Sequence, residues 1–454
     1  MLLLTVVLLA VLFLISYKMF DKDLFAPPAI VCLSFLFSTL CAAYNENTWA
    51  LDFSGETALV LIVGIGSFLL GGILAIIIIN RKRLNHFGFI HHFSQVQEIN
   101  IEKWKVLIVI LFQIFLILMI YREMTKNASF IGLSWAEIMH MYRYESMRMV
   151  GQDYTMKLSF LTVQCISINE ALVFLFTYIV GNNLAAKKKV IILYWIPIVL
   201  GCTIVFMQGY RAGMLRYWIA ILIVWYSIHK SSIGWKGSKE TRKIIKKMLF
   251  SIVIVGLLFS SVRVFVGRSG EGNEWDPLYY VSFYGGCPVA GLDIFLKDPS
   301  VGVSEIFGQR TFYYLNQSIG AWFGISELRY NMVRTDLANG DFAISPNGTY
   351  VGNVYTTFRA LIEDFGYIGI PVVMFIMGCF FTLFYFKIRN NQRKQKIDLP
   401  LLCYSYCAYT YFMYFFATYY FFLSTAFIKI ILLWFAMRWF LSSKFVIKVG
   451  VTKV

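Results

Sequence analysis

RSGEGNEWDPLYYVSFYGGCP (268–288) and SPNGTYVGNVYTTFRALIEDFGYIG (345–369) open and close one long polar stretch in a chain that is otherwise apolar. The stretch runs from Gly267 to Gly366 and carries arginines, tyrosines, phenylalanines and tryptophans together. Connections longer than about 15 residues are usually functional or disordered. This one is too aromatic to be disordered. It reads as a large functional loop folded over the outer mouths of membrane helices.

Everything around that loop supports the membrane reading. The 454 residues are 59% hydrophobic and only 15% charged, with a mean hydropathy of +0.66. Soluble domains carry about 25% charged residues, so the chain belongs to the membrane class. A helix needs about 20 apolar residues to cross a bilayer. By that measure eleven spans are expected, near 1–17, 24–43, 56–80, 105–121, 158–180, 190–207, 213–229, 248–266, 367–386, 400–420 and 422–441. They form a single all-α domain over 1–454, with external segments at 122–157 and 267–366. Met1 leads straight into LLLTVVLLAVLFLIS without a basic region, which reads as a retained span. Seven of the eight cysteines lie in or beside apolar segments and only Cys287 falls in the large loop, so no disulfide framework or CxxC site is expected.

Charge sets the orientation. The loops holding Lys18, the Arg81–Arg83 run, Lys187–Lys189, Lys230–Lys247 and Lys387–Lys396, with the carboxyl-terminal tail, carry 26 Lys+Arg and 6 Asp+Glu. The opposite side carries 14 and 18, and Lys429 and Glu170 remain inside spans; the nets of +20 and −4 return the chain's +16. The basic side is cytoplasmic. The amino terminus and the large loop are therefore expected outside and the carboxyl terminus inside. The high pI reflects topology and membrane lipids rather than nucleic acid.

The cations also differ in kind. Of the 26 inside, 20 are Lys; of the 14 outside, 11 are Arg. Arg offers a planar fork for phosphate or carboxylate, whereas Lys is a point charge. Anion recognition on the outer side follows as an expectation, against the plainer possibility that these arginines pair with outer acids. The turn Gln208-Gly209-Tyr210-Arg211-Ala212-Gly213 pins Arg211 between two spans, where it binds an anion or merely snorkels. Arg263 and Arg268 flank the exit of the eighth span, at the depth of a lipid-linked diphosphate. Tyr280 and Tyr284 offer rings that stack on sugars or sit in an interfacial belt. Arg359 lies four residues before Glu363, so an intrahelical pair competes with a ligand role, while Asp364 projects elsewhere.

In 122–157 an amphipathic stretch from Trp135 to Met149 carries Arg143 and Arg148. His140 is the only His expected outside, and a lone His is more often structural. Asp21-Lys22-Asp23 spells a metal-binding DxD, but in a short inner turn without a nucleotide fold. HExxH, Walker and GxSxG motifs do not occur, and no metal or cofactor is expected.

QGYRAG (208–213), YYVSFYGGCPVAGLD (279–293), FGQRTF (307–312) and NVYTTFRALIEDFGYIG (353–369), in this order around one outer loop, resemble the bacterial oligosaccharide repeat-unit polymerases (the Wzy-type O-antigen and capsule polymerases). The resemblance covers mostly 205–370. It implies a fold similar to the multi-span, metal-independent glycosyltransferases that use polyprenyl-linked donors (GT-C-like). It implies undecaprenyl-diphosphate-linked oligosaccharides as donor and acceptor, at the outer face of the bacterial cytoplasmic (inner) membrane, and a chain-length regulator as a partner. Arg211 and Arg359 carry over as catalytic positions, with Asp364 and His140 as further catalytic candidates. Arg263, Arg268, Arg310, Arg143, Tyr280 and Tyr284 are the candidate substrate contacts. Unlike ligases that share this donor, the large loop has no His, which leaves the general base unassigned. An O-antigen ligase and a lipid-linked sugar flippase are the competing classes.

Overall fold

The computed structural model describes residues 1–84, 96–126, 134–135, 137–139, 141–142, 158–186, 191–209, 212–235, 239–261, 277–297, 304–330, 342–390 and 397–442. Among these are fourteen α-helices and one two-stranded hairpin. They are α1 (Leu2–Met19), α2 (Pro27–Tyr44), α3 (Gly55–Leu84), α4 (Lys103–Lys126), α5 (Phe160–Ala185), α6 (Ile196–Met207) and α7 (Ala212–Ser232). They continue with α8 (Lys239–Ser261), α9 (Pro277–Lys297), α10 (Tyr313–Phe323), α11 (Ser326–Tyr330), α12 (Thr356–Asn390), α13 (Leu399–Phe412) and α14 (Thr425–Ser442). The hairpin pairs β1 (Ala343–Ile344) with β2 (Tyr350–Gly352), antiparallel.

Six helices, α1 to α5 and α12, are long and apolar enough to cross a membrane. They leave Leu3, Val7, Leu70, Leu111, Leu118, Phe160 and Val372 exposed. A soluble surface rarely carries so continuous an apolar face. The protein is a multi-pass, all-α membrane protein. The other expected spans coincide with shorter or more polar helices. The 190–207 span is a 3-10 turn (Ile192–Tyr194) followed by the twelve residues of α6. The 400–420 span holds an α-helix only to Phe412.

Two departures from simple crossings position the functional groups. The first is α12. Its partner is α3, and successive contacts advance together along both helices: Tyr367 donates to Glu56, Gly71 meets Phe375 and Gly72 meets Thr382. The two run parallel, in one direction through the membrane. A methyl group at Gly71 would lie 2.0 Å from the Phe375 carbonyl oxygen, and one at Gly378 would lie 2.1 Å from that of Phe68. The backbones therefore touch, as small residues allow in membrane helix pairs. Phe358, however, packs on Gly64 and stacks on Phe35, nine residues into α3. Gly64 is eight residues past Glu56, so at 1.5 Å per residue Phe358 lies about 12 Å along α3 from the level of Tyr367. Residues 356–365 thus form a half-helix that runs against the direction of the rest of α12. The chain reverses at Gly366, whose φ of 66° and ψ of −169° break the helix. Such a conformation is open to Gly and strained for other residues.

The second departure is the break between α13 and α14. Residues 413–424 hold no α-helix, yet Tyr414 and Tyr420 are fully buried. Non-helical backbone at membrane depth must find its hydrogen bonds inside the protein. It does so here. The Tyr414 carbonyl accepts from Thr357 N–H at 2.9 Å, and the Tyr419 carbonyl accepts from the Thr410 hydroxyl at 2.7 Å. Half-helix and break face one another.

The described part of the large loop packs into the helical bundle. Within 267–366, α9 packs against α2, with the Ser38 hydroxyl donating to the Gly285 carbonyl at 2.6 Å. Asp293 of α9 accepts from Ser54 N–H and the Thr57 hydroxyl at the start of α3, at 2.9 and 2.7 Å, and pairs with Lys297 at 2.9 Å.

Candidate functional site

Two turns below Gly366, on the half-helix, Arg359 is buried and its Nε donates to Glu363 Oε1 at 2.9 Å. Arg310 Nε reaches the other oxygen, Oε2, at 2.8 Å. Two guanidiniums thus share one carboxylate whose side chain is 1% exposed. Arg359 also lies over the rings of Tyr355 at 4.1 Å and Phe295 at 4.9 Å, which hold its plane. Arg310 arrives from the 304–312 segment, which is laced along the half-helix. Asp364 takes Arg310 N–H at 3.1 Å and Thr311 N–H at 2.6 Å, Ser304 N–H donates to the Glu363 carbonyl, and the Thr311 hydroxyl donates to that of Ala360. The i,i+4 spacing of Arg359 and Glu363 makes the pair, and the sequence reading of it as an intrahelical bridge holds. The convergence of Arg310 on the same carboxylate comes from the fold.

A second charged pair lies across the break. Glu170 Oε1 of α5 is 2.8 Å from Arg216 Nη2 of α7. The guanidinium sits 4.6 Å from the Phe421 ring and 4.8 Å from the Tyr406 ring, with Phe174 at 5.6 Å and Tyr409 at 6.0 Å. Phe421 belongs to the break. It stacks on Tyr419, and the neighbouring Thr418 hydroxyl lies 2.8 Å from that of Thr357, two residues from Arg359. A continuous set of contacts therefore joins the two arginines through residues 418–421. Further polar groups line α5: Asn169 accepts from Gln113 at 2.8 Å, and Gln164 accepts from Lys429.

Arg216 corrects the sequence reading, which counts it with the outer surface. Gly181 of α5 packs on Val224 of α7, and in the parallel register that follows the start of α7 lies level with Glu170. Glu170 and Lys429 therefore do not pair with each other; each has its own partner. Asp364, expected to be free for a ligand, spends its carboxylate on backbone amides and anchors the 304–312 segment. Tyr280 is 3% exposed and packs on Tyr284 at 4.7 Å, so its ring serves the interior, while Tyr284 is half-buried. In the 122–157 segment Ser134 caps a helical turn through Glu137, whose carboxyl the Ser134 hydroxyl and N–H hold below its usual range. Ile138, Met139 and Tyr142 bury against Leu116, Ile120, Ile204 and Met207, as an amphipathic segment should. Arg211, His140, Arg143, Arg263 and Arg268 lie outside the described residues.

No protein-family profile, curated protein or solved structure matches this chain.

Proposed function

We propose that this protein is a membrane glycosyltransferase that joins undecaprenyl-diphosphate-linked oligosaccharide repeats at the outer face of the bacterial cytoplasmic membrane. In this reading the chain crosses eleven times with its amino terminus outside, in a GT-C-like arrangement. The observation that carries it is the convergence of Arg310 and Arg359 on buried Glu363.

The chemistry follows from that arrangement. The growing chain leaves its carrier, and an acceptor hydroxyl attacks its anomeric carbon. Negative charge grows on the departing diphosphate. Preformed guanidiniums at that position stabilise it without reorganisation, an effect worth about 3–4 kcal/mol per donor in a water-poor site. Arg359 is held flat by Tyr355 and Phe295, and Arg310 is fixed through its own backbone N–H on Asp364. Glu363, held between the two guanidiniums, is the carboxylate placed to take the acceptor hydroxyl's proton when a diphosphate draws both arginines to itself, the base for which the large loop offers no His.

A flippase is the second reading, favoured by the charged and amide groups along α5 (Gln164, Asn169 and Glu170), since transporters line their paths with such groups. Deleting the gene and running surface glycan on a gel separates the classes. A single repeat still attached to its anchor, with the long chains gone, supports polymerisation. No attached repeat at all supports a ligase or flippase and defeats the proposal. Reporter fusions after Lys189, Lys247 and Arg393 are expected to read cytoplasmic, and fusions near Asn127 and Asp298 external. An external signal at Lys247 overturns the orientation.

A further inference from the structure

We infer that Arg216 and Glu170, beside the half-buried rings of Phe421, Tyr419 and Tyr314, form a subsite for an uncharged sugar residue of the glycan, read through its hydroxyls. The inference rests on the glycosyltransferase reading and assigns a second, distinct site within it.

Charge argues first. Arg216 and Glu170 cancel, and the carboxylate 2.8 Å from the guanidinium repels a phosphate. The ligand that suits a matched cation and anion offers donors and acceptors together, as a sugar diol does. Hydrogen bonding argues next. Arg216 Nε and Nη2 and Glu170 Oε1 are buried without an aligned hydrogen bond, although the last two are in ionic contact. A pair kept only to stabilise the fold satisfies its donors and acceptors, because leaving them unmet in an apolar interior is costly. These atoms are under-satisfied and buried, and the 16% and 23% exposure that the two side chains keep falls on their other atoms.

The surroundings agree. Phe421, Tyr419 and Tyr314 are half-buried, with Phe421 stacked on Tyr419 and 4.6 Å from Tyr314. Ring faces of this kind take the apolar C–H faces of a pyranose, while the charged pair reads its rim. The place agrees as well. Arg216 packs on Phe421, one end of residues 418–421, whose other end touches Thr357, two residues before Arg359. A sugar held here sits one contact chain away from a diphosphate held at Arg310 and Arg359.

The test uses the full chain in lipid nanodiscs and two probes. One is undecaprenyl diphosphate. The other is the oligosaccharide repeat released by mild acid from the lipid-linked precursor that a deletion strain accumulates. Glu170→Gln and Arg216→Lys are expected to weaken the released oligosaccharide about tenfold or more, as loss of a charge-assisted hydrogen bond predicts. Undecaprenyl diphosphate should bind these variants within about twofold of wild type by the same arithmetic. Arg359→Ala should show the reverse pattern. If either charge variant fails to fold, Phe421→Leu, which removes only the ring, must show the same selective loss. Unchanged oligosaccharide binding in folded variants overturns the subsite, and equal loss of both probes reduces the pair to scaffold. Wild-type protein that binds the diphosphate but no oligosaccharide also overturns it and leaves the polymerase reading standing. Binding neither probe removes both.

Discussion

The two Arg–Glu constellations differ in stoichiometry and in how each guanidinium is held. At the half-helix two arginines face one carboxylate, and a second carboxylate, Asp364, is bound up by amides. Across the break one arginine faces one carboxylate between aromatic rings. In the proposed reading the first, two guanidiniums on one carboxylate with Asp364 beside it on backbone amides, meets a ligand that brings negative charge. The second, one guanidinium on one carboxylate among aromatic rings, meets a neutral, hydroxylated ligand.

The sharpest way to break this contrast is the pair of Glu→Gln changes. Glu363→Gln removes the proposed base; kcat should fall about 100- to 10,000-fold. Glu170→Gln should raise KM and spare kcat. Steady-state kinetics on lipid-linked repeats decides, and a kcat loss of equal size at both positions ends the division of labour. Arg359→Ala comes next, with an expected loss of about 100- to 1,000-fold in rate. Arg359→Lys should recover little of it, since the fork and its stacking on Tyr355 are lost. Arg359→Ala at wild-type protein level and full activity would remove the diphosphate clamp.

Asp364→Asn tests whether the anchor of the 304–312 segment matters to Arg310. About a tenfold loss is expected, with weaker diphosphate binding, because hydrogen bonds to a charged acceptor contribute about 1.5–3 kcal/mol each. The coupling between the sites is smaller still. A double-mutant cycle on Thr357→Val and Thr418→Val should give an interaction of about 0.5–1 kcal/mol in kcat/KM, the scale of contacting residues. Strict additivity would show that residues 418–421 carry no communication. Lys297→Ala should leave both sites untouched. Its ammonium is 39% exposed, and the buried Asp293 keeps the Ser54 N–H and the Thr57 hydroxyl, so the change should appear as a fall in thermal midpoint without loss of ligand binding.

The class, the orientation bias and the Arg359–Glu363 spacing are legible in the sequence because hydropathy, Lys placement and i,i+4 geometry are local properties. Three features are not. The half-helix TTFRALIEDF carries three charges and reads as loop, since a hydropathy window registers composition and not depth. The break MYFFATYYFFLS reads as membrane helix for the converse reason: apolar side chains suit buried irregular backbone as well as they suit a helix. The Arg216–Glu170 pair joins α5 to α7, and nothing within either segment reports which helix stands beside it. Gly366 alone had a signal, a glycine between a charged run and an apolar one.

The parallel seam of α3 and α12 bears on how the protein is made. Gly71 and Phe375 are about 300 residues apart in the chain, and no hairpin can bring them together. Synthesis proceeds from the amino terminus, so α3 enters the bilayer long before its partner exists. Through that interval its glycine face is open to lipid and to other nascent helices. The half-helix, Arg359 and Glu363 arrive with α12, so the charged centre forms only when the last fifth of the chain has been inserted. A stalled or truncated product therefore holds α3 without its partner and without the Arg359–Glu363 pair.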